Sequence, residues 1–94
     1  MKDNGQSVWR PLSTEVVAYT GTAGVGTAVP SGVKAVHVVC TTAAFVKIGK
    51  TATATVNDIP FQASVPQTFR IEEGDRVSAI QSAAGGNVHI TSLV

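Results

Sequence analysis

Charged residues are scarce in this chain of 94 residues. They make up 14% of the sequence, whereas about 25% is usual for a soluble domain. Hydrophobic residues make up 44%, but they are mainly small, and aromatic residues account for only 5%. One small domain cannot hide so much weakly polar surface in its core. We therefore expect an exterior of Thr, Ser, Ala and Val, which suits contact with other proteins.

Basic runs, paired cysteines and long apolar stretches are also missing. The net charge is +1, so the electrostatic footprint of a nucleic-acid-binding protein is absent. Cys40 is the only cysteine, which excludes a disulfide within the chain and a cysteine-based metal cage, and its apolar surroundings predict a buried, inert thiol. No apolar stretch approaches the roughly 18–20 residues that span a bilayer, and residues 1–7 lack the apolar region of a secretory signal. We expect synthesis in a cytoplasm, with neither nucleic acid nor membrane as partner.

An apolar period of two residues recurs along the chain, and the helical period is nearly absent. Residues 51–56 alternate strictly between Thr and Ala or Val. Residues 33–40 are β-branched and apolar on both faces, as is typical of a central or doubly covered strand. Turn-forming residues separate such segments every 8–12 residues or so. The pattern predicts eight strands, at residues 15–20, 24–29, 33–40, 44–49, 52–57, 67–72, 76–82 and 87–93.

About eight short strands in one small domain predict an all-β protein, either two packed antiparallel sheets or a closed barrel. We expect a small antiparallel β-sandwich, jelly-roll-like or immunoglobulin-like, since the number of strands does not separate these two topologies. Residues 15–94 are predicted to form this β-sandwich domain. Residues 1–14, which are polar and then carry the sequence Val8-Trp9-Arg10-Pro11-Leu12, are predicted to form an N-terminal arm.

Two segments supply candidate partner-binding residues. In the arm, Trp9 either caps one end of the core from an ordinary strand or tail, or anchors the arm on a partner together with Arg10 and Leu12. Trp and Arg are enriched at interface hot spots. Residues 59–66 contain two prolines, which cannot donate to a central ladder, so this segment is predicted to be a loop or an edge crossing. Its apolar members either pack beneath the loop or meet a neighbouring protein; they are Ile59, Phe61 and Val65.

The residues that could support catalysis or ligand binding form no convincing motif. The glycine-rich segment 21–27 lacks the Gly-Lys-Ser/Thr ending of a phosphate-binding loop. His37 and His89 are the only histidines, and a zinc site needs three or four ligands, so a metal would require copies of one histidine to meet on a symmetry axis. The acidic cluster at residues 72–75 is too short for a calcium loop, and it predicts a turn with Gly74 at positive φ. We expect no catalytic residues, no cofactor and no enzymatic activity.

Three motifs resemble small virion proteins of tailed bacteriophages. A Pro-led strand runs from Pro66 into a Gly-Asp turn at Gly74, a "hydrophobic–x–x–Ile" strand follows as Val77-Ser78-Ala79-Ile80, and Gly86-Asn87-Val88-His89-Ile90-Thr91 begins the last strand. The resemblance covers about residues 15–94. It implies a capsid decoration (cement) protein located in the virion, a homotrimer bound to the major capsid protein where capsomers meet. It supplies no catalytic residues.

Two other functions compatible with these features remain open. One is a structural module of the tail or of a head fibre. The other is a carbohydrate-binding β-sandwich, for which Trp9 and Tyr19 are the aromatic residues available to stack on a sugar.

Overall fold

The computed structural model describes residues 10–94, and it forms a sandwich of two four-stranded antiparallel sheets. The eight strands are β1 (Pro11–Tyr19), β2 (Gly24–Val25), β3 (Ala35–Cys40), β4 (Ala44–Gly49), β5 (Ile59–Phe61), β6 (Gln67–Arg70), β7 (Arg76–Gln81) and β8 (Gly86–Leu93). Within residues 10–94 no helix is long and apolar enough to cross a membrane. The prediction of a small all-β sandwich is confirmed.

The strand order is that of a jelly roll. One sheet, sheet A, has the order β1-β8-β3-β6, and the other, sheet B, has the order β2-β7-β4-β5. The hydrogen-bonded pairs therefore include β1 with β8, β2 with β7, β3 with β6 and β4 with β5, as in one long hairpin rolled into two sheets. Eight strands in two Greek keys define the jelly roll, whereas constant-type immunoglobulin domains have seven strands in a different order.

The core lies between the two sheets and is built mainly from valine. β3 is central in sheet A, between β8 and β6, as the sequence predicts for residues 33–40. Its residues Val36, Val38 and Cys40 face inward and are fully buried, while its alternate residues lie on the outer face. Small β-branched side chains suit this packing because they fill the pleated surface with little loss of rotamer freedom.

The segment predicted as a strand at 52–57 belongs to no sheet ladder. Ala52 and Ala54 are buried, so the alternation is correct at these positions, but Val56 is 61% exposed. Instead of a ladder, the Ala54 N–H donates to the Ser78 hydroxyl at 2.8 Å. Ser78 is fully buried, and its side chain lies on the opposite face of β7 from the core residues Val77 and Ala79. Because the segment contacts this hydroxyl, the segment crosses the outer face of sheet B. β5 follows it as a short edge strand, in agreement with the loop or edge crossing predicted for residues 59–66.

The first two strands differ in length from their predictions. β1 begins at Pro11 rather than at residue 15, because backbone hydrogen bonds between Arg10 and Val94, at 3.0 and 2.9 Å, start its pairing with β8. Residues 11–14 of the predicted arm therefore lie in sheet A. Residues 1–9, including Trp9, lie outside the described residues. β2 spans two residues instead of six, although the following backbone still bonds to β7 through Gly26 N and Val77 O at 2.8 Å.

The predicted acidic turn before β7 is present. Gly74 has a φ of +90°, a conformation that glycine adopts without the penalty of a Cβ atom. The Asp75 carboxylate accepts a hydrogen bond from Glu72 N at 2.8 Å. Lys50 joins the turn by donating to the Glu73 carbonyl at 2.9 Å. The cluster therefore acts as a turn that connects β6 to β7.

Candidate protein-contact surfaces

Large apolar side chains are exposed along two opposite sides of the sandwich. β1 and β2 lie on one side, where the Glu15 carboxylate accepts hydrogen bonds from Thr27. β5 and β6 lie on the other side, where the Phe61 and Phe69 rings pack with centroids 6.0 Å apart. We define the β1 side by the exposed residues Leu12, Val16 and Val25, and the β5 side by the exposed residues Ile59 and Val65.

The predicted contact residues divide between these two sides. Arg10 and Leu12 are exposed, and Leu12 lies at an irregularity of the β1–β8 ladder between Pro11 and Ser13, on the β1 side. Ile59 and Val65 are exposed on the β5 side, at 40% and 46%. Among the described residues, the two predicted segments therefore lie on opposite sides of the sandwich.

Phe61 does not belong to the exposed surface, and its assignment as a partner contact is wrong. It is only 3% exposed, because its pairing with Ala44 of β4 turns its side chain inward, against Phe69 of sheet A. The loop after it is fixed by Ser64, which has a left-handed φ of 63° and whose N–H donates to the Cys40 carbonyl at 2.8 Å. This fixed loop leaves the nearby Val65 exposed.

Tyr19 is buried as well, so it is not available to stack on a sugar. Its side chain is 1% exposed, and its hydroxyl donates to the Thr42 carbonyl at 2.8 Å and accepts from Thr42 N at 3.2 Å. The neighbouring thiol of Cys40 is buried too. Burial raises the pKa of the Cys40 thiol above its ordinary value, and a hydrogen bond with Tyr19 opposes that rise. A raised pKa keeps the thiol protonated and unreactive, as the sequence predicts.

A cleft of about 360 Å³ opens beside β1, between the two sheets. Its lining includes the apolar side chains of Val77 and Ile90, together with Glu15 and several hydroxyl-bearing residues. The Glu15 carboxylate accepts three hydrogen bonds from Thr27, two from the backbone N–H at 3.0 and 3.2 Å and one from the hydroxyl at 2.8 Å. Glu15 therefore fastens β1 of sheet A to the chain that follows β2 of sheet B.

The two histidines lie near each other on the outer face of sheet A. His37 pairs with Thr91, and His89 pairs with Val39, so the two imidazoles are diagonal neighbours on adjacent strands. Both are half-buried. No group of three or more His, Cys, Asp or Glu residues in the 10–94 region is placed to hold a metal ion. This proximity depends on the register between β3 and β8, which the sequence does not show.

Val16 and Val25 are exposed apolar residues of the β1 side that the sequence did not single out. Val16 is 55% exposed in the middle of β1, where the inward residues are Glu15, Val17 and Tyr19. The signal was hidden because apolar side chains occur on both faces of this strand. Comparison with protein families, with curated proteins and with solved structures finds no match for this chain.

Proposed function

We propose that this protein is a structural subunit that links neighbouring proteins in a larger assembly, and that the assembly is a bacteriophage shell. Specifically, we propose a capsid decoration protein, the type that the three sequence motifs resemble. The observation that carries the proposal is the presence of exposed apolar side chains on two opposite sides of one small domain. A protein that bridges two neighbours needs a contact surface for each.

The charge distribution supports contact with other proteins. With 7 basic and 6 acidic residues in 94, most of the surface is weakly polar, and interface cores are depleted of charge in the same way. The ion pair between Lys50 and Asp75, at 3.5 Å, belongs to the turn before β7 and lies on neither of the two sides. Within residues 10–94, a partner could therefore cover the β1 side or the β5 side without burying an ion pair.

The fold is compatible with this role. Jelly rolls occur in viral capsid proteins, and also in lectins and cupins, so the topology by itself does not select a function. Bridging would stabilise a shell because a ligand that binds only the assembled state shifts the equilibrium toward that state. Many copies at symmetry-related positions would add avidity to weak individual contacts.

The test is binding to shells of the phage that encodes the protein. Purified protein is mixed with shells lacking it, and bound protein is measured after sedimentation, together with the temperature at which the shells break. We expect saturable binding and a higher breaking temperature. Val65→Lys on the β5 side should weaken binding at least tenfold, whereas Ser82→Ala, an exposed change outside both sides, should not.

Two results would contradict the proposal. Absence of binding to intact shells would remove the decoration role. Localisation of the protein to the tail or to fibres in electron micrographs of the virion would replace it with the tail or head-fibre alternative.

A further inference from the structure

β1 differs from the other three edge strands of the sandwich. The edge strands among the described residues are β1 and β6 in sheet A and β2 and β5 in sheet B. β2 has two residues, β5 has three and contains Pro60, and β6 has four, follows Pro66 and ends at Arg70. Short length, proline and charge are the features that prevent edge strands from pairing with other chains. β1 has nine residues, and its only proline is the first.

The hydrogen-bonding pattern of β8 shows which backbone groups of β1 face away from the sheet. Thr41 N donates to the Asn87 carbonyl at 2.9 Å, so Asn87 and the alternate residues after it bond toward β3. The residues between them bond toward β1, in agreement with the two bonds between Val94 and Arg10. From the register of the ladder, the β1 residues that receive these bonds are Ser13, Glu15 and Val17.

Thr14 and Val16 consequently direct their backbone N–H and C=O groups away from β8. Within residues 10–94, no turn, loop or side-chain hydrogen bond reaches the backbone of either residue. Both side chains are exposed. The middle of β1 is therefore an open edge at which another strand can add to sheet A.

We propose that this edge pairs antiparallel with the same edge of a second copy of this chain, about a two-fold axis. Such pairing places each residue opposite a residue of the same strand, so a charged side chain at its centre would face the same charge on the second copy. β1 exposes Leu12, Thr14, Val16 and Ala18, which carry no charge, and the Glu15 carboxylate is turned inward and held by Thr27. The edge is thus complementary to itself.

Of the three centres in the middle of β1, at Thr14, Glu15 and Val16, the surroundings favour Thr14. A centre at Glu15 would set two carboxylates opposite each other, which is destabilising. A centre at Val16 would pair Thr14 with Ala18 of the second copy and would need the Ala18 carbonyl as a hydrogen-bond acceptor. The Gly24 backbone covers that oxygen, and it lies so close that a Cβ atom on Gly24 would not fit. A centre at Thr14 avoids both and brings Val16 beside Leu12 of the second copy, so two exposed apolar side chains cover each other.

This pairing joins the two copies of sheet A into one eight-stranded sheet. It gives a dimer and not the trimer that the sequence resemblance implies, because a three-fold ring would need β1 to meet a different edge. It leaves the β5 side exposed, and it does not depend on the shell proposed above. The dimer and the shell binding therefore succeed or fail in separate experiments.

The first test is the molar mass of the purified protein, measured by sedimentation equilibrium across a concentration series. One chain has a mass of 9.6 kDa, so the dimer has a mass of 2 × 9.6 = 19.2 kDa. We expect the dimer for the natural protein, a monomer for Val16→Lys, and the dimer for the control Val56→Lys, which changes a valine of similar exposure in the segment that precedes β5. Circular dichroism verifies that both variants are folded. A natural protein that is monomeric or trimeric, or a Val16→Lys dimer, overturns the proposal.

The second test is a disulfide that reports the register. Residues in a hydrogen-bonded antiparallel pair have Cα atoms about 5.5 Å apart, within the range that a disulfide spans. Thr14→Cys should therefore give a covalent dimer on oxidation, whereas Ala18→Cys should not, and Cys40 does not interfere because it is buried. A cross-link through the Ala18→Cys variant alone overturns the Thr14-centred pairing.

Discussion

The Ser78 hydroxyl connects three parts of the fold, so its removal tests how the outer face of sheet B is covered. It donates to the Gly24 carbonyl of β2 at 2.8 Å and accepts from Ala54 N at 2.8 Å. Ser78 is fully buried and Ala54 is nearly so. Ser78→Ala removes one oxygen atom, which leaves the Ala54 N–H without its partner and takes one hydrogen bond from the Gly24 carbonyl.

The cost follows from those two groups. A buried backbone group that loses its hydrogen bond costs about 1–3 kcal/mol. Because Gly24 is only half-buried and is open to partial rehydration, we expect a loss of about 2–4 kcal/mol in the free energy of unfolding. For a domain of this size, 1 kcal/mol lowers Tm by about 4–8 °C, so the expected decrease in Tm is roughly 8–30 °C.

Urea unfolding followed by circular dichroism measures this loss directly. Protein concentration is held constant, because self-association makes apparent stability depend on concentration. Ser82→Ala is the matched control, since Ser82 is exposed and should change stability by less than about 0.5 kcal/mol. A loss below about 1 kcal/mol in Ser78→Ala would refute the reasoning, because the 52–57 segment would then not depend on this hydroxyl.

Three further predictions concern the core, a turn and the thiol. Phe61→Ala should lower the free energy of unfolding by about 3–5 kcal/mol, whereas Val65→Ala at an exposed site should lower it by less than about 0.5 kcal/mol. Equal losses in urea unfolding would place Phe61 at the surface. Gly74→Ala should cost about 1–2 kcal/mol because of its positive φ, and Gly49→Ala, with no atom near its Cβ position, is the control that should not show this loss. The folded-state pKa of Cys40 is raised from 9.0, so the folded state favours the neutral thiol. The free energy of unfolding should therefore fall as the pH rises from about 9 through that raised pKa. Urea unfolding of Cys40→Ala should lack this part of the pH dependence.

Much of the fold follows from the sequence because a period of two residues identifies strands and shows which residues share a face. The predicted strands at 44–49 and 33–40 lie within one or two residues of β4 and β3. The two prolines in residues 59–66 correctly indicated an edge, since proline lacks the N–H that a central strand must donate. Gly74 was likewise predictable, because only glycine adopts its φ without strain.

The periodicity does not show whether a given face is covered, and the candidate surfaces depend on that. Phe61 and Ile59 are two residues apart on β5, yet Phe61 is buried against Phe69 while Ile59 is partly exposed. Val16 resembles the core valines in sequence but lies on an outer face. These outcomes depend on contacts between residues distant in the chain.

The sequence by itself determined the all-β class, the approximate number of strands, the turn at Gly74 and the scarcity of charge at the surface, since each depends on local backbone preference or on composition. Only the tertiary structure decided the jelly-roll order, the position of the 52–57 segment across sheet B, the proximity of His37 and His89, and the open edge at Thr14 and Val16. The physical reason is that strand pairing and sheet packing are set by the combined burial of residues far apart in sequence, and alternation along a single strand carries no information about its partner.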